Sequence, residues 1–155
     1  MMTAAREALA RRARALVGVR FRPQGRSAEL GLDCIGVAIM ATGVPKEDVR
    51  QDYCLHSDDP EEVNGEFDAC GFIRIAPAAA GTGDLLVVRT GPIGLHVVIL
   101  TDSGYVHADM RQRRVEEVPG KVPWPVLAAW RHPSVAAEDP FAPELIGPPG
   151  LRSLN

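Results

Sequence analysis

Gly31-Leu32-Asp33-Cys34-Ile35-Gly36-Val37-Ala38-Ile39-Met40-Ala41-Thr42-Gly43 is the stretch on which the reading of this chain turns. Residues 34–42 are apolar on all sides, Asp33 is a good N-cap, and Gly43 followed by Pro45 is a good stop. A helix that is apolar all round belongs in the middle of a core. Its first residue is a cysteine, so a thiol is expected at the edge of that core, where a cleft reaches it.

Upstream, residues 3–17 read as an amphipathic helix. Ala5, Leu9, Ala13 and Leu16 share one face, Thr3 is the N-cap and Gly18 ends it. Residues 19–32 read as a loop rich in Gly, Pro and Arg. Downstream, the acidic run Ser57-Asp58-Asp59-Pro60-Glu61-Glu62 reads as a loop leading into a short helix over 60–70.

From Gly83 the pattern changes to strands. Residues 84–89 and 95–101 are rich in Val, Ile and Leu. Asp102-Ser103-Gly104 is a turn signal, and residues 105–109, 113–118 and 125–132 supply three further strands. From Pro133 onward the chain carries Pro133, Pro140, Pro143, Pro148 and Pro149 with no apolar period. The predicted organisation is one domain over residues 1–133 and an irregular Pro-rich tail over residues 134–155. Helices first and strands second point to an α+β domain.

Two histidines lie on the strands before the turn and after it: His96 in Leu95-His96-Val97-Val98 and His107 in Tyr105-Val106-His107-Ala108. Side-chain direction alternates along a strand, so loop length decides whether they meet. An even loop sets Leu100 opposite Tyr105. His96 and His107 then become diagonal neighbours on one face, roughly 7–8 Å apart at Cβ. The even register is the one predicted here.

A thiol attacks as its thiolate, and a helix N-terminus or an adjacent imidazolium lowers its pKa. The helix contributes roughly 0.3–1 kcal/mol, so a histidine must supply the larger effect. Cys34 is then a candidate nucleophile, His96 its base, and His107 the group that fixes the His96 tautomer. Taken singly, Cys34 reads as a small core hydrophobe and His96 as a buried histidine with a satisfied hydrogen bond. Their combination with His107 favours catalysis.

Bulk composition narrows the field. The 155 residues are 46% hydrophobic with a net charge of −3, which gives no broad basic surface for nucleic acid or an anionic membrane. Three cysteines do not make a disulfide framework. Cys54 and Cys70 have the option of pairing, and spacing does not decide it. No C-x2-C or H-x3-5-H pair occurs, so neither a metal nor another cofactor is expected. His56 reads as a solvated loop residue, His132 as a strand end, and Arg111, Arg113 and Arg114 as solvated faces. Arginines interrupt the N-terminal apolar residues, so no secretory leader is read there and no stretch is long enough to span a membrane. Synthesis and folding in the cytoplasm are expected, with carriage to any outside target by something else.

Several segments together resemble NlpC/P60 cell-wall peptidases of the phage and gene-transfer-agent type. They are Gly18-Val19-Arg20-Phe21-Arg22-Pro23-Gln24-Gly25, the Gly31–Gly36 stretch, Gly83-Asp84-Leu85-Leu86-Val87-Val88, the His96 and His107 strands, and Ala129-Trp130-Arg131-His132-Pro133. The resemblance implies a papain-like α+β fold with N-terminal helices packed on a central antiparallel sheet. It implies cleavage of peptidoglycan stem peptides, typically at a γ-D-glutamyl–diamino acid bond, and phage-tail or particle proteins as partners. It matches Cys34, His96 and His107 to the catalytic groups and sets Phe21 and Asp33 on the substrate-binding side. Phe21 stands where the family usually has a Tyr, and Ile35 where it usually has a Ser. A non-catalytic tail-assembly or interaction module on the same fold is the alternative, as is a Cys-His amidase or acyltransferase.

Overall fold

A computed structural model describes residues 2–50, 55 and 59–138. In chain order the helices are α1 (Ala4–Arg14), α2 (Cys34–Thr42), α3 (Glu61–Ala69) and α4 (Pro133–Glu138). The strands are β1 (Arg26–Ser27), β2 (Gly31–Leu32), β3 (Ile73–Ile75), β4 (Leu85–Gly91), β5 (Gly94–Leu100), β6 (Gly104–Asp109), β7 (Arg114–Pro119) and β8 (Val126–Arg131).

The main sheet has six strands in the order β3-β8-β4-β5-β6-β7, every neighbouring pair antiparallel. β4 to β7 form a meander, and β8 returns to the free side of β4. Period-two alternation divides the sheet residues between two faces. Leu85, Val87, Leu95, Val97, Ile99 and Val106 pack into the helix-side core. Leu86, Val88, Val98, Tyr105 and Ala129 form a second cluster on the far side, with Trp124 packed against it.

Helix α2 lies in the helix-side core, as its uniform apolarity requires, with only Met40 exposed along it. Asp33 caps its start and Gly43 ends it in the left-handed region at φ 77. Helix α1 packs on α2 and is capped by Thr3. It stops at Arg14, short of the predicted residue 17, because the chain turns there and Gly18 N–H donates to Val115 O on β7.

The irregular tail expected from Pro133 begins instead with a helix. Helix α4 starts on Pro133, buries Val135 and Ala136, and contacts α1. Its Glu138 carboxylate accepts from Ala5 N–H at 3.1 Å, at the positive end of α1. Six residues are too few to show a helical period. Residues 139–155 lie outside the described residues, as do Cys54 and His56.

One buried ion network ties the helices to the sheet. Asp84 is 0% exposed and takes a two-pronged contact from Arg131, at 3.0 Å and 2.8 Å. Arg6 of α1 reaches the same carboxylate at 3.3 Å, and Gly81 N–H donates to it at 2.9 Å. Removing the acid strands a buried guanidinium, which costs about 3–5 kcal/mol. Asp84→Ala is therefore expected to lose about that much stability in urea unfolding; a loss below about 1 kcal/mol contradicts the network's role.

Candidate active site

The site is built outward from the first turn of α2. Asp33 Oδ1 accepts from Gly36 N–H at 2.8 Å, and Oδ2 accepts from Gln24 N–H at 3.0 Å. Arg26 Nη1 donates to Oδ1 at 3.2 Å, with both side chains 6% exposed. Asp33, placed by resemblance on the substrate side, is thus 4% exposed and held by the chain's own donors. The loop before α2 also presses on the helix. A Cβ at Gly36 would stand 2.1 Å from Gly25 O, so only glycine permits this approach.

Cys34 is 3% exposed. Among the described residues the thiol is buried rather than open to a cleft as expected, because α2 packs against both β5 and β6. The ladder between those strands is short, pairing Ile99 with Val106 and Leu100 with Tyr105. Burial, and then the Asp33 charge, push the thiol up to about 12. Contacts with the main chain at Val97, Ile35 and Cys34 itself pull it down, as N–H donors to a sulfur anion do. Val97 is the chain neighbour of His96.

The register is the even one predicted, with Leu100 opposite Tyr105. His96 Nε2 and His107 Nδ1 lie 2.9 Å apart in a hydrogen bond. Trp124 packs edge-on to His96 and at a tilt to His107, its ring 5.7 Å from each. Tyr105 adds a ring contact to His107 at 5.2 Å. Burial is the main reason that His96 is pushed down to about 3, and His107 adds to it while Asp109 opposes it. Burial also lowers His107, against the charges of Asp109 and Glu116. At neutral pH the resting groups are a thiol and two neutral imidazoles. Among the described residues no hydrogen bond joins the Cys34 sulfur to the His96 ring.

Sequence reasoning missed Trp124. It lies in Val122-Pro123-Trp124-Pro125, where no period marks it, and only the long-range fold brings it to the histidines. Phe21 is half-buried against the helix-side core and its N–H donates to Arg113 O at 2.8 Å. Arg111, Arg113 and Arg114 are exposed, as read. An apolar pocket lies elsewhere, lined by Ile39, Val49, Val63, Phe67 and Phe72 together with the free thiol of Cys70.

No family model matches the chain, and no curated protein matches it. Solved structures do. The P60 domain of the antigen MAP1204 from M. avium subspecies paratuberculosis matches with a TM-score of 0.56 at 20% identity, over 82% of this chain and 93% of that one. The NlpC/P60 domain of the peptidoglycan hydrolase SagA matches at 0.51 and 24%, over 74% of this chain and 88% of that one. RipD from Mycobacterium tuberculosis, a non-catalytic NlpC/P60 domain protein adapted to peptidoglycan binding, matches at 0.51 and 14%, over 84% and 98%. The fold is therefore the α+β, papain-like fold of NlpC/P60 domains.

The lowered histidines make stability depend on pH. Between the ordinary value of 6.5 and about 3, the unfolded chain binds a proton at position 96 that the folded chain does not. Stability is therefore full above about 6.5 and falls as pH drops through that window. Unfolding free energies from urea titrations are expected to fall from about pH 7 to about pH 5, and His96→Gln to remove about 2 kcal/mol of that fall. Equal slopes for the two proteins contradict the assignment.

Proposed function

We propose that this chain is a cysteine peptidase that hydrolyses peptidoglycan stem peptides, with Cys34 as nucleophile and His96 as base. The observation that carries this reading is the His96–His107 hydrogen bond at 2.9 Å, made next to the residue whose main chain faces the Cys34 sulfur. His96 lies opposite Val88 of the far-side cluster while Cys34 belongs to the helix-side core, so in this reading Nδ1, the ring nitrogen not engaged by His107, reaches the thiol around the β5 main chain at Val97. The γ-D-glutamyl–diamino acid bond is the target favoured by the resemblance. The likeness of the closing Ala129–Pro133 segment to the phage-type branch favours phage-tail or particle proteins as partners and the cell wall as the place of action.

The chemistry follows from the neutral resting pair. Substrate binding brings the thiol within hydrogen-bond reach of Nδ1, a contact that resting enzymes often hold longer. The proton moves to His96 as sulfur adds to the scissile carbonyl carbon. The Cys34 N–H, at the positive end of α2, faces the developing oxyanion. The C–N bond then breaks, and the leaving amine takes the proton from His96. A thioester remains on Cys34. His96 takes a proton from water, the hydroxide adds, and the acid product leaves with the thiol restored.

Asp33 acts here as a positioning residue, since its carboxylate is spent on α2 and the preceding loop. Phe21 offers packing and no hydroxyl, so transition-state contacts fall to main-chain donors.

One observation favours a second reading. A thiol 3% exposed suits a domain that binds peptidoglycan without cutting it, and RipD has that description. Purified protein incubated with muropeptides separates the two. The peptidase reading expects new amines, their loss in Cys34→Ala, and a fall of at least about 10²-fold in His96→Ala, the range for a general base. Unchanged turnover in Cys34→Ala refutes the mechanism, and binding without product supports the second reading. Product analysis also identifies an amidase or acyltransferase.

A further inference from the structure

We propose that Asp109 is a positioning residue that selects the tautomer in which His96 serves as a base. A neutral imidazole carries one N–H and one acceptor nitrogen. The bond between His96 Nε2 and His107 Nδ1 therefore has two arrangements. In one, His96 donates from Nε2 and leaves its Nδ1 lone pair free. In the other, His107 donates from Nδ1, and Nδ1 of His96 is a donor with no basic lone pair. The hydrogen bond alone does not choose between them.

The far side of His107 chooses. Asp109 Oδ2 lies 3.9 Å from His107 Nε2. The attraction places the His107 proton on Nε2, which makes its Nδ1 the acceptor and His96 the donor. Asp109 is itself held in place. Its Oδ1 accepts from Arg111 N–H at 2.8 Å and Gln112 N–H at 3.2 Å, so the turn after β6 orients the carboxylate. Asp109 and His107 are two apart on β6 and share a face.

Other groups around His107 are accounted for. Glu116 of β7 lies opposite it in register, but its Oε1 is engaged by Arg114 Nε at 2.6 Å. From β5 comes neutral His96, and Tyr105 and Trp124 bring rings to it. The polar chain thus runs from His96 through His107 to Asp109, and Asp109 sets its donor direction from outside.

The test reads the tautomer directly and does not depend on activity. Side-chain ¹⁵N NMR of the full chain near pH 7.5 is expected to show His107 protonated at Nε2 and acceptor-like at Nδ1. Asp109→Asn keeps an oxygen for the turn and removes the charge, and Asp109→Ser does the same with a smaller group. Either variant is expected to shift His107 towards the Nδ1–H form. Glu116→Gln is expected to leave the spectrum as in the parent. A parent spectrum with His107 protonated at Nδ1, or variants that keep the Nε2 proton, overturns the inference.

The activity arm rests on the peptidase reading, and there kcat on muropeptides is expected to fall about 10-fold in Asp109→Asn with KM unchanged. A tautomer that follows Asp109 in a protein that cuts no muropeptide sinks the peptidase reading and leaves this inference standing. Full activity with an unmoved tautomer does the reverse.

Discussion

The carboxylate of Asp33 is the constraint from which the site follows. It takes Gly36 N–H from inside the first turn of α2, Gln24 N–H from the preceding loop, and the Arg26 guanidinium. These contacts fix where α2 begins, and so where the Cys34 sulfur stands against β5. They also draw the loop close enough that position 36 admits no side chain. The arrangement has an electrostatic cost, because the same negative charge opposes formation of the thiolate next door.

That cost shapes the chemistry. Burial and Asp33 hold the thiol protonated, and burial holds His96 neutral. The aromatic surroundings of this part-buried histidine pair make its hydrogen bond count for more than it would in open solvent. A neutral thiol–imidazole pair moves its proton only as the nucleophile attacks. In the proposed peptidase, orientation of the His96 lone pair, rather than a standing ion pair, is then what the scaffold would supply. The meander serves this end, since β5 and β6 pair at their turn-proximal ends and bring the two rings together across the face they share.

Much of this was legible in the residues. Asp33 and Gly43 bracket α2 as capping chemistry requires, and the apolar run between them leaves one solution for its burial. The residues left the length of the loop around Asp102-Ser103-Gly104 open between an even and an odd case; the even register predicted is the one found, and it brings His96 to His107. What escaped were features without a local signal. Strand β3 has three residues and α4 six, too short for periodicity to register. The closure of the thiol depends on how α2 meets β5 and β6, a long-range fact. Trp124 and Asp109 join the site only through the fold, one from the segment before β8 and the other from the end of β6.

The central claim is that the Cys34 sulfur becomes covalently acylated in the company of these histidines. Rapid acid quench of the protein mixed with muropeptide, followed by peptide-level mass spectrometry, measures this directly. The account predicts a thioester adduct on the Cys34 peptide that decays as acid product appears. Bound muropeptide with an unmodified Cys34 and no new amine would contradict it.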